Sequence, residues 1–263
     1  MNNPSKAQLD YLHAYRKNQL FIHFARISTL LLFLLLWDLA SFAGWIDSFI
    51  FSSPSQIALC FWEMVLDRSI FLHVGITLYE TLFSFFLVTV ISILIVIVLW
   101  FSKTLSAISE PFLVVLNSLP KSALAPLLIV WLGATQTTII VAGMSVAIFG
   151  CILNLYTSFT SVDSDSLKLI YTLGGNKFQS LCKIVIPSCI PAIISNMKVN
   201  IGLCLVGVII GEFLAARNGL GYLIIYSSQV FKLDWLLMSI CILCILAMGL
   251  YSVINLLEKK YQK

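Results

Sequence analysis

The residues of this sequence best suited to bind a solute or do chemistry are charged side chains inside long apolar stretches. Burying a charge in lipid is costly, so such residues usually face a cavity or a partner charge. Four of them stand out, with Asp38 as a weaker fifth: Glu80, Lys121, Lys198 and Glu212. They form no cluster of acid, base and nucleophile at one membrane depth, which favours solute binding over covalent catalysis.

Two of these positions lie where a helix is expected to be interrupted. Lys121 directly follows Pro120, and Pro126 comes a little over one turn later, so we expect this helix to bend or break. Broken helices are common at transporter binding sites. Lys121 therefore either lines a pathway or serves as a snorkelling or ion-paired side chain. Glu212 precedes Asn218, Gly219 and Gly221, which are expected to form a tight external turn.

The fifth apolar stretch carries further polar residues. Lys198 lies about two turns inside it, and we favour a side chain that extends toward the cytoplasm. Asn196 and Asn200 are one helical turn apart. Asn200 either lines the pathway or makes a hydrogen bond between helices.

Sites for redox, metal or nucleotide chemistry are not indicated. Cys241 and Cys244 form a CxxC inside an apolar stretch, where thiols pack as small hydrophobic groups. The histidines, which lie outside the predicted spans, are interpreted as solvated surface residues: His13, His23 and His73. The chain has no GxxxxGK[ST] phosphate loop, so it is not expected to bind ATP itself.

Helices in a membrane must position these residues. The 263 residues are 60% hydrophobic and 11% charged, and the apolar stretches are near the roughly 20 residues that a spanning helix needs. Lipid offers the backbone no hydrogen-bond partner, so the spans must be helical. We predict an all-α polytopic protein with about six transmembrane helices at 26–46, 74–101, 111–133, 137–159, 187–214 and 235–257.

Lysine and arginine predict the orientation, because they stay on the cytoplasmic side of short loops. With the N-terminus inside, the outer side holds only Arg68, Arg217 and Lys232. The cytoplasmic side holds Lys6, Arg16, Lys17, Arg26, Lys103, Lys168, Lys177, Lys183, Lys259, Lys260 and Lys263. We therefore expect cytoplasmic tails at 1–25 and 258–263 around a membrane domain at 26–257. The first span is interpreted as a retained helix and not as a cleaved signal, because five further spans follow.

Two segments outside the spans have helical patterns of their own. Ser53 and Pro54 precede an amphipathic stretch, which predicts a capped helix on the outer surface. The cytoplasmic segment at 163–186 begins with Asp163, continues with an apolar face at helical spacing and is broken at Gly174 and Gly175. A second apolar stripe leads to Pro187, which is expected to open the fifth span. From these residues alone the segment is equally well a simple interfacial connector.

This segment resembles the cytoplasmic signature of ABC-importer permeases. Gly174 matches the signature glycine, IVIP matches the closing element that ends at Pro187, and Pro191 matches the second proline. The opening Glu-Ala-Ala triad is degenerate, because it reads Lys168, Leu169 and Ile170 and lacks the acidic residue.

The resemblance extends over the chain from about residue 52 and is closest to the nitrate, sulfonate and taurine branch. It is carried by SSPSQIALCFWEM, LPKSALAPLLIVWLGA, TSVDSDSLKLIYTLGG and GEFLAARNGLGYLI. Glu80 departs from that branch, which often has a basic residue there, and PKSALAPL is also similar to relatives that carry thiamine-precursor pyrimidines. The branch therefore leaves the substrate open.

The resemblance implies a type I importer permease in a bacterial cytoplasmic membrane, with two copies lining one pathway. It also implies an ATPase subunit that binds ATP and Mg²⁺, an extracytoplasmic solute-binding protein, and no cofactor on this chain. By the same resemblance, the contact with the ATPase is made by Leu167, Lys168, Tyr171, Leu173, Gly174, Gly175, Phe178 and Pro187. The pathway candidates are Glu80, Lys121, Asn200 and Glu212.

Two other classes of membrane protein remain as alternatives. An ion-coupled secondary transporter would also have broken helices and buried charges, but it should show an inverted repeat, and the span spacing shows none. A membrane enzyme would need clustered catalytic groups, which the pattern lacks.

The charge bias makes a topology prediction that cysteine labelling can check. In a variant without native cysteines, Cys at position 176 (Asn176→Cys) should resist an impermeant thiol reagent in intact cells. Cys at position 218 (Asn218→Cys) should react, because residues 217–234 are predicted to lie outside. Labelling at 176 from outside would invert the arrangement.

Overall fold

The computed structural model describes residues 6–261, which are almost entirely helical and contain no strand. The helices in this range are α1 (Lys6–Phe42), α2 (Ser48–Phe51), α3 (Pro54–Leu66), α4 (Ser69–Phe101), α5 (Lys103–Ser118), α6 (Lys121–Leu132), α7 (Gln136–Thr160), α8 (Ser164–Thr172), α9 (Lys177–Ser180), α10 (Ile186–Ala215), α11 (Leu220–Gln229) and α12 (Leu233–Tyr261). Residues 1–5 and 262–263 of the two expected tails lie outside the described residues, as do the side chains of His13 and His23.

Five helices of the described chain are long and apolar enough to cross a membrane. Their spanning parts are Lys17–Phe42, Ser69–Phe101, Gln136–Thr160, Lys177–Ala215 and Leu233–Leu256. The bent pair α5 and α6 would make a sixth span. The expected all-α membrane fold with about six spans is confirmed, with helices that satisfy their own backbone groups.

The third apolar stretch is a broken span. Helices α5 and α6 meet at an angle of 97°. The break lies at Leu119 and Pro120, which are both extended, with ψ of 140° and 107°. A proline disfavours the helical conformation of the residue before it, so α5 ends there. The expected interruption thus occurs at Pro120, whereas Pro126 lies inside α6 without ending it.

Pro187 does not open the fifth span, and that expectation was wrong. The helix begins at Lys177 and passes through a π-helical turn, Leu181–Val185, directly into α10. The N–H of Ile186 donates to the carbonyl of Leu181 across this turn. A π-helical turn leaves one backbone carbonyl without an α-helical donor. Pro187 has no N–H and therefore makes no such bond. The helix continues through both the π turn and the proline.

Helix α7 lies at the centre of the bundle, packed between α4 and α10. The backbones of α7 and α10 approach closely at Gly207, where a Cβ atom would lie 2.8 Å from the carbonyl oxygen of Ala142 and from the Cα of Gly143. Gly207 and Gly211 form a GxxxG pattern, which brings membrane helices into close contact. A buried cluster that includes Val88, Ala147, Cys151 and Cys204 fills the space around this contact.

Substitution at this contact should destabilise the bundle. Gly207→Ala forces the two backbones apart, and we expect a loss of about 1–3 kcal/mol, as for overpacked cores. The matched control is Gly202→Ala on the same helix, where a Cβ atom would meet nothing within 4 Å. Thermal unfolding in detergent should show a lower midpoint for Gly207→Ala alone. Equal midpoints would show that the helices do not need this close approach.

Candidate functional site

Two clusters of predicted site residues lie at opposite ends of α4. This helix has 33 residues, a length of about 50 Å. Near its beginning, Thr77 contacts the turn between α10 and α11. At its end, the carbonyl of Phe101 accepts a hydrogen bond from Lys177, in the segment expected to couple to an ATPase. One long helix therefore contacts both the turn that follows Glu212 and the segment at 163–186.

The carboxylate of Glu212 organises the first cluster. Its Oε1 accepts a hydrogen bond from the Thr77 hydroxyl at 2.6 Å, and its Oε2 accepts one from the N–H of Gly221 at 2.5 Å. The Thr77 hydroxyl oxygen also accepts from the N–H of Leu220 at 2.8 Å. Leu220 and Gly221 begin α11, so Glu212 places a negative charge at a helix N-terminus, where it is favourable.

The glycines of this turn make room for the carboxylate. A Cβ atom at Gly219 would lie 2.4 Å from Oε1 of Glu212, and one at Gly221 would lie 2.7 Å from Oε2. Gly219 also has a φ of +118°, which other residues rarely adopt. His73 lies beside it, with Nδ1 3.0 Å from the nitrogen and 3.2 Å from the oxygen of Gly219. His73 is thus half-buried within α4, and its interpretation as a solvated residue was wrong.

Glu80 joins Glu212 in this cluster, although the two lie in different predicted spans. Glu80 is 1% exposed, and its carboxyl group is within interaction distance of the Glu212 carboxyl and of the Gln136 side chain. Its Oε2 has no hydrogen-bond partner among the described residues. Glu80 and Gln136 also line a cavity of about 280 Å³. A direct role of Glu80 and Glu212 in the pathway stays a prediction.

Lys121 lies at the start of α6, immediately after the broken turn. Its Nζ donates a hydrogen bond to the carbonyl of Leu116 at 2.7 Å and lies 5.2 Å from the centre of the Phe149 ring. The Leu116 carbonyl belongs to the last turn of α5, where carbonyls lack an intrahelical donor. Lys121 therefore caps α5 across the bend, and pathway lining stays a prediction.

Asn200 is buried in the middle of the bundle. It is 2% exposed and lies near Cys151, and its Nδ2 has no hydrogen-bond partner among the described residues. The neighbouring Asn196 donates a hydrogen bond to the carbonyl of Cys151 on α7, a bond between helices of the kind considered for Asn200. Asn200 stays a pathway candidate because its amide is still free to donate.

The two remaining charged residues of the apolar stretches, which are partly exposed, have partners on neighbouring helices. Lys198 pairs with Glu258 of α12 and donates to the side chain of Asn255 at 3.0 Å. Asp38 accepts two hydrogen bonds from Ser55, from its N–H at 3.2 Å and from its hydroxyl at 2.8 Å. Both side chains thus connect helices, and neither lines one of the cavities near Glu80 or α8.

Helix α8 forms the start of the segment at 163–186, as predicted, and its role in coupling stays a prediction. Asp163 caps it by accepting hydrogen bonds from the N–H groups of Asp165 and Ser166, both at 3.1 Å. These bonds, that of Asp165 first, lower the pKa of Asp163 below its usual value. Lys168 pairs with Asp165 at 2.8 Å, but both side chains are exposed, so the pair adds little stability.

The turn after α8 depends on two glycines. Gly174 has a φ of +81°, and its N–H donates to the carbonyl of Tyr171 at 3.0 Å. The N–H of Gly175 donates to the carbonyl of Ile170 at 2.8 Å, which completes a Schellman motif. A Cβ atom at Gly175 would lie 2.4 Å from the Ile170 side chain. The expected positive φ at Gly174 is therefore confirmed.

Large apolar side chains of this segment point away from the bundle. Leu173 is 77% exposed and Phe178 63%, and Leu169 and Tyr171 are also exposed, whereas Leu167 is half-buried against the bundle. We call the group of Leu169, Tyr171, Leu173 and Phe178 the α8 apolar patch. An exposed apolar patch of this kind usually marks a binding surface for a partner. Lys168 lies beside it, and Pro187 is exposed further along the helix.

Lys177 fixes this segment to the bundle. Its Nζ donates to the carbonyl of Phe101 at 2.7 Å and lies 5.4 Å from the centre of the Trp100 ring. A cation is favourable at the C-terminus of a helix, where carbonyls lack partners. Asn176 and Gln179 form a capping box at the start of α9. A cavity of about 570 Å³ lies behind α8, between it and the ends of α4, α5 and α7.

The sequence analysis missed three residues that build these clusters: Thr77, His73 and Lys177. No local sequence pattern indicated a role for Thr77 or His73, because their hydrogen-bond partners lie at least 135 positions away along the chain. Lys177 was counted only as a cytoplasmic charge. The capping box formed by Asn176 and Gln179 is a local pattern that could have located the start of the second helix.

Comparisons with known proteins agree with this architecture. The family described as binding-protein-dependent transport system inner membrane component matches residues 89–263. An aliphatic sulfonates transport permease protein, SsuC of Bacillus subtilis, is 25% identical over 228 residues, which cover 87% of this chain and 83% of that protein. The formylaminopyrimidine transport permease protein ThiX of Halalkalibacterium halodurans is 27% identical over 170 residues, or 64% of this chain and 68% of that protein.

Solved structures share the fold. A chain of the MetNI methionine ABC transporter in an inward-facing conformation superposes with a TM-score of 0.65 at 14% sequence identity. The match covers 74% of this chain and 97% of that chain. At this identity the likeness supports the arrangement of helices and says nothing about the solute.

The hydrogen bonds around Glu212 make a testable stability prediction. Thr77→Val removes the hydroxyl group that links Glu212 to Leu220, which leaves buried polar groups unsatisfied at a cost of about 1–3 kcal/mol. Thr89→Val is the matched control on α4, because the Thr89 hydroxyl bonds only to the carbonyl of Phe85 in its own helix. That control should change the unfolding free energy by less than about 0.5 kcal/mol.

Amide hydrogen exchange would locate the effect. Thr77→Val should speed exchange at 219–222, while exchange near Gly174, at the other end of the bundle, should stay as in the wild type. Unchanged exchange at 219–222 would show that Glu212 holds the turn without Thr77.

Proposed function

The chain belongs to the family of binding-protein-dependent transport system inner membrane components, the permease subunits of ABC importers, and we propose that two copies of it form the pathway for a small solute. The α8 apolar patch carries this proposal, because it is exposed apolar surface on a rigid segment at one end of the bundle. A separate ATPase, with bound ATP and Mg²⁺, drives transport, since this chain lacks a phosphate loop.

We infer the coupling contact with the ATPase from the α8 apolar patch and from the glycine turn and Lys177, which hold it in place. Leu173 and Phe178 are exposed on either side of the glycine turn, so both can insert into an apolar groove of the ATPase. The Schellman motif at Gly174 and Gly175 sets the angle between α8 and α9. Lys177 connects this segment to the end of α4, so a push on the patch is transmitted to the bundle as a rigid-body movement.

The pathway is proposed to pass the Glu80 and Glu212 cluster, the bend at Lys121 and the free amide of Asn200. Glu80 supports this best, because a buried carboxylate oxygen without a partner lines a cavity there. Lys121 lies where the broken span exposes backbone groups, as at other transporter sites. The solute is small and organic, of the sulfonate or taurine type or a thiamine-precursor heterocycle.

The orientation is proposed from the charge bias. Both termini and the segment at 163–186 lie in the cytoplasm of a bacterial cell, and the turn at 218–221 faces outside. An extracytoplasmic binding protein then delivers the solute at the Glu80 end of the bundle. This assignment places the ATPase contact and the solute entrance on opposite faces of the membrane, as an importer requires.

The glycine at position 174 tests the proposal. In proteoliposomes with the ATPase and the binding protein, Gly174→Val should reduce solute-stimulated ATP hydrolysis and uptake at least about tenfold, because valine is strained at positive φ. Gly174→Asn is the matched control and should retain most of the coupling, since asparagine tolerates this conformation.

Two results would contradict the proposal. Equal stimulation in Gly174→Val and the wild type would show that the segment is only a connector. Solute uptake by this chain alone, driven by an ion gradient and without ATP, would show a secondary transporter instead.

A further inference from the structure

The cavity of about 570 Å³ behind α8 lies where α4 and α7 end and α5 begins. Its wall includes Trp100 from the last turn of α4, Lys103 from the first turn of α5, and Thr160, the last residue of α7. The spanning parts of α4 and α7 end at Phe101 and Thr160. The cavity therefore lies at the level where the hydrocarbon core of a bilayer meets the phospholipid headgroups.

The uncharged side chains of the wall suit this level. Trp100, Tyr156 and Tyr171 line the cavity, and tryptophan and tyrosine are enriched at membrane interfaces because their rings are apolar and their tips are polar. The buried Ser106 adds a hydroxyl group, and the buried Phe159 adds an apolar ring. The wall is thus amphipathic, as a phospholipid is at the junction of its headgroup and acyl chains.

The charged side chains of the wall favour an anion. Lys103 and Lys177 bring two positive charges to the cavity and Glu110 brings one negative charge, so the lining has a net charge of one positive. None of the three takes part in a salt bridge among the described residues. The bond from Lys177 to the carbonyl of Phe101 uses one of the three hydrogens of its ammonium group, which leaves two for a ligand.

Glu110 lies seven positions after Lys103 on α5, which is two helical turns on the same face and about 10 Å along the helix. An anionic group bound at Lys103 is therefore separated from the Glu110 carboxylate. A carboxylate accepts hydrogen bonds and donates none. The ligand that fits both residues has an anionic group at one end and hydroxyl donors at the other.

We propose that this cavity binds the headgroup of a phospholipid with one net negative charge, such as phosphatidylglycerol. The phosphate lies at Lys103 and Lys177, and the glycerol hydroxyl groups donate to Glu110. Basic cavities between membrane helices are known to bind anionic headgroups. A choline headgroup has no net charge and no donor for Glu110. Because Leu167 and Tyr171 also line the cavity, the bound lipid joins α8 to the ends of α4 and α7.

Native mass spectrometry of the purified full chain in detergent tests the inference without an ATPase or a solute. The lipid probes are dioleoylphosphatidylglycerol and dioleoylphosphatidylcholine, which have the same acyl chains. The wild type should bind the phosphatidylglycerol at least about tenfold more tightly, since the charged hydrogen bonds are lost with choline. Glycerol phosphate, which has a phosphate and hydroxyl groups but no acyl chains, should not displace the lipid at equal concentration.

Two variants and one control assign the binding to the cavity. Lys103→Gln should weaken binding of phosphatidylglycerol about tenfold and leave that of phosphatidylcholine unchanged. Glu110→Ala should also weaken it, because the acceptor of the glycerol hydroxyl groups is lost, although simple charge attraction would make binding tighter. Lys183→Gln is the matched control, because Lys183 is an exposed lysine that does not line this cavity, and it should bind as the wild type does. Lys103 and Glu110 are exposed, so both cavity variants should fold.

Several results would overturn the inference. Equal affinity for the two lipids, or unchanged binding in Lys103→Gln, would show that the cavity does not select an anionic headgroup. Tighter binding in Glu110→Ala would show that no hydroxyl group is bound there. Displacement of the lipid by an equal concentration of glycerol phosphate would show a site for a soluble phosphate compound instead.

Discussion

The backbone of α10 comes so close to that of α7 at Gly207 that a Cβ atom there would touch the carbonyl of Ala142 and the Cα of Gly143. In lipid there is little hydrophobic gain from bringing helices together, so this contact depends on close packing of the two surfaces. It sets the position of α10 and therefore of Glu212 at its end. It also sets the position of α7, whose beginning lines the Glu80 cavity. The position of Glu212 and the cavity wall formed by α7 therefore both depend on this close contact at Gly207.

Helix α4 connects the cluster around Glu212 to the segment at 163–186. Near one end its Thr77 bonds to Glu212 and to the start of α11, and at the other its last carbonyl bonds to Lys177. A helix of this length, held at both ends by hydrogen bonds, moves as one body and changes both ends together. This arrangement suits a protein in which energy enters at one face and solute at the other.

Much of this structure could be predicted from local sequence. Hydropathy located the spans, and the caps at Ser53 and Asp163 and the positive φ at Gly174 were predicted because each depends on residues within one or two turns. The π-helical turn before Pro187 was not predicted, since proline usually marks a helix start. The pairing of Glu80 with Glu212 could not be read from the sequence, because it depends on which faces of α4 and α10 meet. The GVIIG pattern at 207–211 was the missed signal for the close contact between α10 and α7.

The two ends of the bundle also differ in how they assemble during synthesis. The caps and turn hydrogen bonds of α8, from Asp163 to Gln179, join residues within one short stretch, and only the bond from Lys177 to Phe101 reaches another helix. Such local structure forms in microseconds and needs no other span. The Glu212 cluster instead joins Thr77 to a residue 135 positions later, and the bent pair of α5 and α6 and the span of α7 lie between them in the chain. The α8 apolar patch can thus form from local structure alone, while the cluster around Glu212 forms only after α10 and the turn at 218–221 have joined α4.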